Sequence, residues 1–170
     1  APDDAAWDLG TGNFTIDCRI RFAAGTATAT TYAVAGHKGD ATNFWTFKAY
    51  LNGAGSIIGL DSFTAGVADI VINDTCTMAE ATWYHIAITR TGSTNDTANW
   101  HVFLDGVKLT NSLASGAYSG TLNNNAGTMN VGENDATGLD FPGHIDEFRL
   151  VKGTAVWNSN FTPPSAAYSY

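Results

Sequence analysis

The adjacent carboxylates Asp146 and Glu147, in the segment His144-Ile-Asp-Glu-Phe-Arg, are the pair best placed in the sequence for glycosidic-bond chemistry. Retaining hydrolysis needs two carboxyl groups about 5–5.5 Å apart, and inversion needs a wider pair. Alternate residues of a strand share a face, so these two neighbours are expected on opposite faces, and His144 stands where a nucleophilic Glu would be required. Glutamate is scarce, with only Glu80, Glu133 and Glu147 in the chain. No serine lies in a Gly-x-Ser-x-Gly setting. We therefore predict no catalytic residues.

Oxygen ligands for a calcium ion are concentrated in the segment 132–140. It carries Glu133, Asn134, Asp135 and Asp140 within a flexible run. Calcium takes six to eight oxygens from carboxylates, amides and backbone carbonyls, commonly on loops. The segment therefore predicts a calcium site that includes Asp135 and Asp140; the alternative is a solvated acidic loop.

Four aromatic residues, with the Asn-rich stretch 123–125, are candidates for stacking on a sugar ring: Trp45, Tyr50, Trp100 and Tyr118. The alternative for each is packing in a core, because aromatic side chains bury large apolar areas. Two histidines, His85 and His101, are expected on neighbouring strands, either as a metal pair or, as we favour, packed beside aromatic residues.

Strict alternation in Phe14–Phe22 predicts a strand with one buried face, since Phe14, Ile16, Cys18, Ile20 and Phe22 share one side. Further strands are predicted over 32–35, 44–51, 56–60, 68–72, 83–90, 100–104, 107–109, 129–132 and 144–151. The turns between them include 36–40, 61–66 and Asp105-Gly106, a hairpin dipeptide. Roughly ten to twelve short strands without an amphipathic helix predict an all-β sandwich or jelly roll in one domain, residues 1–170.

The charge of the chain restricts its partners. Net charge is −8, from 8 Lys and Arg against 16 Asp and Glu. An acidic chain without a basic cluster argues against nucleic acid, and no apolar run of about 18 residues predicts insertion in a membrane. The absence of an initial Met and of a signal peptide suggests a fragment of a longer protein. Cys18 and Cys76 could pair or remain buried thiols.

Three ordered segments resemble the laminin-G-like, concanavalin A-like domains found in phage and bacterial surface proteins. They are 83–92 with 101–106, then 14–22, and finally 143–153 with Ala155-Val-Trp157 and Phe161-Thr-Pro-Pro164. The resemblance implies a two-sheet antiparallel jelly-roll sandwich. It also implies structural roles for Trp83 and Trp157, and it adds Asp146 to the expected calcium ligands.

Since this architecture hosts many functions, the resemblance leaves three hypotheses. The first is a non-catalytic binding module of a larger extracellular or virion-surface protein, which recognises a carbohydrate or a host surface through loops. The second is a structural domain of a phage tail or capsid that contacts other copies or other domains of its parent. The third is a glycoside hydrolase.

Overall fold

The fold of the chain was obtained as a computed structural model, which describes residues 1–52, 55–94, 96–110, 119–133 and 140–168. Ten strands are present in these ranges: β1 (Phe14–Phe22), β2 (Tyr32–Lys38), β3 (Phe44–Tyr50), β4 (Ser56–Thr64), β5 (Val67–Cys76), β6 (Trp83–Arg90), β7 (Trp100–Leu104), β8 (Val107–Lys108), β9 (Thr128–Val131) and β10 (Gly143–Lys152). The helical content of the same ranges is two single-turn 3₁₀ helices, Ala5–Trp7 and Thr97–Asn99. None of the helices found there could reach across a membrane.

The strands form two five-stranded sheets. Sheet A has the order β10-β1-β6-β7-β8, and sheet B has the order β5-β4-β3-β2-β9. All pairings between named strands are antiparallel. The predicted all-β antiparallel sandwich is confirmed.

The core lies between the sheets and is built from the apolar side of each alternating strand. The five alternating residues of β1, from Phe14 to Phe22, are all inaccessible to solvent. They share one cluster with Trp45, Phe47 and Ile58 from sheet B. Because one face of every central strand enters this core, the other face points outward, and these two outer faces are the surfaces on which a site can be built.

Two predicted turns are wrong because the strands run further than local composition indicates. Gly36 and His37, read as the start of a turn, pair with Thr46 and Trp45 within β2 and β3. Residues 61–64, also read as a turn, belong to β4 and pair with β5. The actual turn there is Ala65-Gly66, where both residues have positive φ. Cross-strand hydrogen bonding outweighs the weak strand propensity of Gly, Asp and Ser.

Both cysteines are buried thiols without a disulfide bond. Burial raises the pKa of Cys18, with the nearby Asp17 charge adding to the shift. Burial likewise raises the pKa of Cys76 to about 12. Both groups are therefore protonated and poorly nucleophilic near neutral pH.

Candidate functional site

The outer face of sheet A is covered by residues 153–168, which we call the C-terminal strap. Its backbone is fixed to β1 by two bonds of the Thr15 hydroxyl, which donates to Thr154 O (3.0 Å) and accepts from Val156 N (2.8 Å). The Thr89 hydroxyl of β6 donates to Trp157 O at 2.6 Å. Strand residues that would otherwise face solvent are thus hydrogen-bonded to the strap.

The strap also closes over a buried carboxylate. Asp17, on the outer side of β1, is inaccessible to solvent. Its Oδ1 accepts from Arg149 Nε at 2.9 Å, and its Oδ2 lies 3.2 Å from His85 Nε2. The Tyr168 hydroxyl donates to the same Oδ2 from the strap. Burial and this bond to Asp17 raise the pKa of Tyr168, so the phenol stays protonated and remains a donor.

Aromatic rings complete this cover. Trp157 and Phe161 stack with centroids 3.9 Å apart and planes 2° apart, and both present edges to His85 at 5.7 Å. The Arg149 guanidinium lies 5.1 Å from the Trp157 ring. The carboxylate, histidine and aromatic residues gathered here are therefore used to hold the strap in place, and this part of sheet A is closed to a ligand.

The outer face of sheet B carries polar residues in consecutive rows. Trp45, Phe47 and Ala49 belong to the core, so the alternate residues Thr46 and Lys48 of β3 point outward. Register places Thr46 opposite Asp61, and Lys48 opposite Gly59. The next strand adds Asn73 opposite Gly59. We call Thr46, Lys48, Asp61 and Asn73, with Gly59 between them, the polar face.

A charge pair occupies the centre of the polar face. Lys48 Nζ donates to Asp61 Oδ2 at 2.5 Å, and the two side chains are 8% and 22% exposed. Asp61 Oδ1 has no hydrogen-bond partner among the described residues. Burial raises the pKa of the Asp61 carboxyl, while the Lys48 ammonium partly opposes that shift. The carboxylate therefore keeps one unpaired acceptor, and the ammonium, which has three N–H donors, uses one of them on Asp61.

Gly59 leaves room for this arrangement. A Cβ at this position would lie 2.1 Å from Ile72 O, 3.0 Å from Lys48 Cε and 3.2 Å from Asn73 Oδ1. These distances show that the Lys48 stem and the Asn73 amide converge over the glycine. A larger residue would displace the neighbouring strand, so the low floor of the polar face depends on Gly59.

Aromatic side chains flank the polar face at both ends. Phe44 and Phe63, opposite one another on β3 and β4, stack with centroids 5.2 Å apart. Tyr50, at the other end of β3, is half-buried and packs partly against the core. Sugar-binding sites combine polar groups with partly exposed aromatic rings, because the ring faces contact the C–H groups of the sugar and the polar atoms bind its hydroxyls.

The predicted stacking residues separate into three outcomes. Trp45 and Trp100 are fully buried, so the prediction that they offer ring faces to a sugar is wrong: both fill the core. Tyr50 lies beside the polar face, while Tyr118 lies outside the described residues. Trp83, expected to be structural, is instead 44% exposed.

The predicted calcium ligands do not form one cluster in the part of the chain that is described. Asp140 is exposed and bridges to Ala33 at the margin of sheet B, whereas Asp146 is exposed on β10 of sheet A. No group of three or more His, Cys, Asp or Glu suited to a metal occurs among the described residues. Asp135 and Asn134 fall outside them, so calcium binding stays a prediction.

Strict alternation fails at the acid pair of β10. The register between β1 and β10 shifts between Asp17 and Arg19, and Glu147 has a φ of +52°. This bulge allows Glu147 Oε2 to accept from Tyr168 N of the strap at 2.7 Å. The expectation that Asp146 and Glu147 simply alternate was therefore wrong, and Glu147 is engaged in holding the strap.

The two histidines on neighbouring strands do not face each other. His101 is paired with Thr89, four residues from His85, which separates the two backbones by about 14 Å along the strand. Burial, with Lys108 nearby, lowers the pKa of His101. A metal pair is excluded by this register, and each histidine packs separately.

The polar face was missed at the level of sequence. Lys48 and Thr46 alternate with Trp45 and Phe47, which is a usable signal for an outward polar row. Asp61 was assigned to a turn, so its pairing with Lys48 could not be anticipated. The partner of a strand residue follows from register between strands, which a single sequence does not reveal.

Comparison with known proteins now identifies the family. A family model described as the concanavalin A-like lectin/glucanases superfamily matches residues 1–158. The chain belongs to this superfamily. No curated protein sequence matches the chain.

Solved structures share the concanavalin A-like fold at low identity. The carbohydrate-binding module CBM40 of the Ruminococcus gnavus IT-sialidase, bound to α2,3 sialyllactose, aligns with a TM-score of 0.58 and 15% identity over 91% of this chain and 83% of that one. A heptameric SAP-like pentraxin from Limulus polyphemus aligns at 0.56 and 18%, over 88% and 65%. The enzymatically active domain of tailspike protein 2 from bacteriophage CBA120 aligns at 0.57 and 12%, over 86% and 23%. The chain thus spans just under two thirds of the pentraxin and a minor part of the tailspike protein, and at these identities the likeness shows the fold alone.

Proposed function

We propose that the chain is a non-catalytic carbohydrate-binding module that holds a glycan on the polar face of sheet B. The observation that carries the proposal is the Lys48–Asp61 pair, whose aspartate side chain is 22% exposed at the centre of the polar face. A sugar hydroxyl can donate to the accessible part of that carboxylate while a neighbouring hydroxyl accepts from Lys48. Charged partners make hydrogen bonds stronger than neutral ones do.

The surroundings of the pair support a sugar rather than a small ion. Asn73 brings an amide next to the pair, and the Phe44–Phe63 stack lies one row beyond Asp61. A concanavalin A-like module that binds sialyllactose is among the structures that share this fold. This likeness makes glycan binding the leading function for a face that has these groups.

A hydrolase requires a second carboxylate that the polar face does not supply. Asp69 is the nearest candidate in register, two residues along β5 from Val71, which lies opposite Asp61. Its Oδ2 accepts from the hydroxyls of Ser62 and Thr64, and its Oδ1 accepts from the hydroxyl of Ser119. Because both oxygens of Asp69 are engaged in this way, we propose that the glycan is bound and not cleaved.

The assembly role is less well supported. The large apolar residues that are exposed in the described ranges are Val67, Trp83, Val107, Val131 and Val156. They belong to five different elements, whereas an assembly surface requires a contiguous patch of about 800 Å² per partner. A display position on an extracellular or virion-surface protein, where glycans are met, is the setting we propose.

A glycan array with matched variants tests the proposal. Wild type, Lys48→Met, Asp61→Asn and the control Lys108→Met, which alters an exposed lysine of β8 in sheet A, are applied with calcium and with chelator. We expect one glycan class to be bound by wild type and the control, and at least a tenfold weaker signal for the two polar-face variants. Absence of binding to every glycan, or equal binding by all four proteins, would refute the proposal and favour an assembly role.

We also propose that calcium binds the segment 132–140, with Asp135 and Asp140 as ligands. A bound ion stabilises the folded state by mass action. Wild-type protein should therefore melt at a higher temperature in millimolar calcium than in chelator, and Asp135→Asn should abolish the difference. An unchanged melting temperature on chelation would rule the ion out.

A further inference from the structure

A second polar and aromatic arrangement lies on sheet A, beyond the area covered by the strap. Arg21 of β1 is paired with Trp83 of β6 on one side and with His144 of β10 on the other. Ile20 and Phe22 are in the core, so Arg21 and its two partners point outward. We call these three residues the Trp83 row.

The two rings of the Trp83 row lean toward each other over β1. Strands β6 and β10 flank β1, which places their backbones about 9.6 Å apart. The ring centroids of Trp83 and His144 are nevertheless 6.2 Å apart, with planes inclined by 58°. Both residues are exposed. The two rings are therefore at contact distance from each other, and together they form an exposed aromatic surface across the strand that carries Arg21.

Arg21 is one of the cationic residues of this acidic chain that keep some of their donors free. Six of the eight Lys and Arg side chains are engaged internally: Arg19 with Pro164 O, Arg21 with Ala81 O, Lys48 with Asp61, Arg90 with Gly10 O, Arg149 with Asp17 and Lys152 with Ala5 O. Arg21 donates only its Nε, to Ala81 O at 3.1 Å. Its two terminal nitrogens have no partner among the described residues, so they remain available to an anion.

The acidic residues that are close in sequence to Trp83 and His144, namely Glu80 and Asp146, do not neutralise Arg21. Glu80 Oε2 accepts from Gly25 N at 2.9 Å, and Asp146 Oδ1 accepts from Glu147 N at 2.9 Å. Neither carboxylate forms an ion pair with Arg21 in the described structure. An unpaired guanidinium next to an exposed indole is suited to a planar carboxylate attached to an apolar ring face.

We propose that the Trp83 row is a binding site for a carboxylated sugar, a uronate or a sialate, separate from the polar face of sheet B. The carboxylate binds the terminal nitrogens of Arg21, and the pyranose ring packs on Trp83. The row spans three strands, about 10 Å, which accommodates one or two sugar rings. An acidic peptide is disfavoured because a single guanidinium beside an exposed aromatic surface offers one anion position and no groove for an extended chain.

Oligogalacturonate and its fully methyl-esterified form test this proposal, because they share rings and differ in charge. We expect wild type to bind the free acid at least tenfold more tightly than the ester by calorimetry, with affinity falling as salt is raised. In Arg21→Gln the preference for the free acid should disappear. Trp83→Ala should weaken both forms, and Trp83→Phe should restore part of the loss. Lys38→Gln, which removes an uncommitted cation from sheet B, is the matched control and should bind as wild type does.

Each remaining outcome is decisive. If oligogalacturonate does not bind, sialyllactose against lactose provides the sialate arm, and failure of both acids overturns the proposal. Equal binding of acid and ester, unchanged binding by Arg21→Gln, or equally tight binding of polyglutamate would also overturn it. Thermal melting of each variant shows that it is folded. The Lys48→Met protein should keep this binding, so the two sites can fail independently.

Discussion

Asp17 and Asp61 occupy comparable positions on the two outer faces of the sandwich, and their surroundings differ sharply. Each lies on an inner strand of its sheet, and each is paired with a cation. Asp17 is fully buried and has three side-chain partners, Arg149, His85 and Tyr168. Asp61 has Lys48 alone and keeps one oxygen unpaired. The difference shows that a carboxylate on an outer strand face becomes structural when the strap folds back over it.

The strap explains why the cluster of polar and aromatic residues on sheet A is not accessible to a ligand. Sheet A gathers an aspartate, a histidine, an arginine, a tyrosine and a tryptophan at one point, which resembles a reactive centre by composition. His85 Nδ1 and one terminal nitrogen of Arg149 have no hydrogen-bond partner among the described residues, but both atoms are buried. On the polar face of sheet B, by contrast, the Asp61 side chain remains 22% exposed.

Of the substitutions on the two outer faces, replacement of Asp17 should destabilise the protein most. Asp17→Ala leaves Arg149 and His85 without their shared carboxylate beneath the strap, and it removes the acceptor of Tyr168. Breaking a buried charge pair costs about 3–5 kcal/mol, and we expect a loss of that size in urea denaturation. Asp17→Asn, which keeps the shape and some hydrogen bonds, should lose less. A loss below about 1 kcal/mol for Asp17→Ala would mean that the strap is held by its aromatic contacts and backbone bonds alone.

Replacing Lys48 tests whether Asp61 is the less committed carboxylate. Lys48→Met should cost about 2 kcal/mol at pH 7, less than Asp17→Ala, because Asp61 is partly exposed and can be rehydrated. The pKa of Asp61, already raised by burial, should rise further without the ammonium. A carboxyl whose folded pKa exceeds its unfolded value destabilises the fold only above the unfolded value. The electrostatic part of the deficit should therefore shrink as the pH falls through the raised pKa of the folded state, and it should be lost once the pH is below the unfolded value of about 4. A deficit independent of pH would show that lost packing of the lysine stem dominates.

Tyr168→Phe gives the smallest effect and isolates the contribution of the strap to Asp17. It removes one hydrogen bond while the ring stays near Arg149, whose guanidinium lies 4.1 Å from the ring centroid. We expect a loss of about 1–2 kcal/mol, the range for a hydrogen bond to a charged group. Calorimetric melting of Tyr168→Phe beside Tyr50→Phe, a control at the flank of sheet B, measures it. Equal losses in the two variants would show that the phenol of Tyr168 has no special role.

The sequence predicted the strands best where alternation was strict. Phe14–Phe22, Trp83–Arg90 and Trp100–Leu104 have the predicted boundaries, because period-2 patterning is a local property that burial of one face enforces. The strand prediction failed for residues 61–64, where Asp and Ser suggested a turn although the pairing with β5 continues through them. The prediction of sugar-binding residues failed for a similar reason. Trp45 and Trp100 are of a residue type that can stack on a sugar ring, but their positions in the strands place them in the core.

The strand and turn patterns of the sequence by themselves determined the all-β class of the fold, because alternating apolar residues and turn residues act over a few positions. Only the tertiary structure decided which part of the outer faces is covered by the strap. That choice depends on bonds between distant segments, such as Thr15 to Thr154 and Arg19 to Pro164, made by a strap without periodic patterning of its own. A polar strand residue has the same appearance in sequence whether it is covered or left to bind a ligand, and the physical difference is the fold-back of the strap over sheet A.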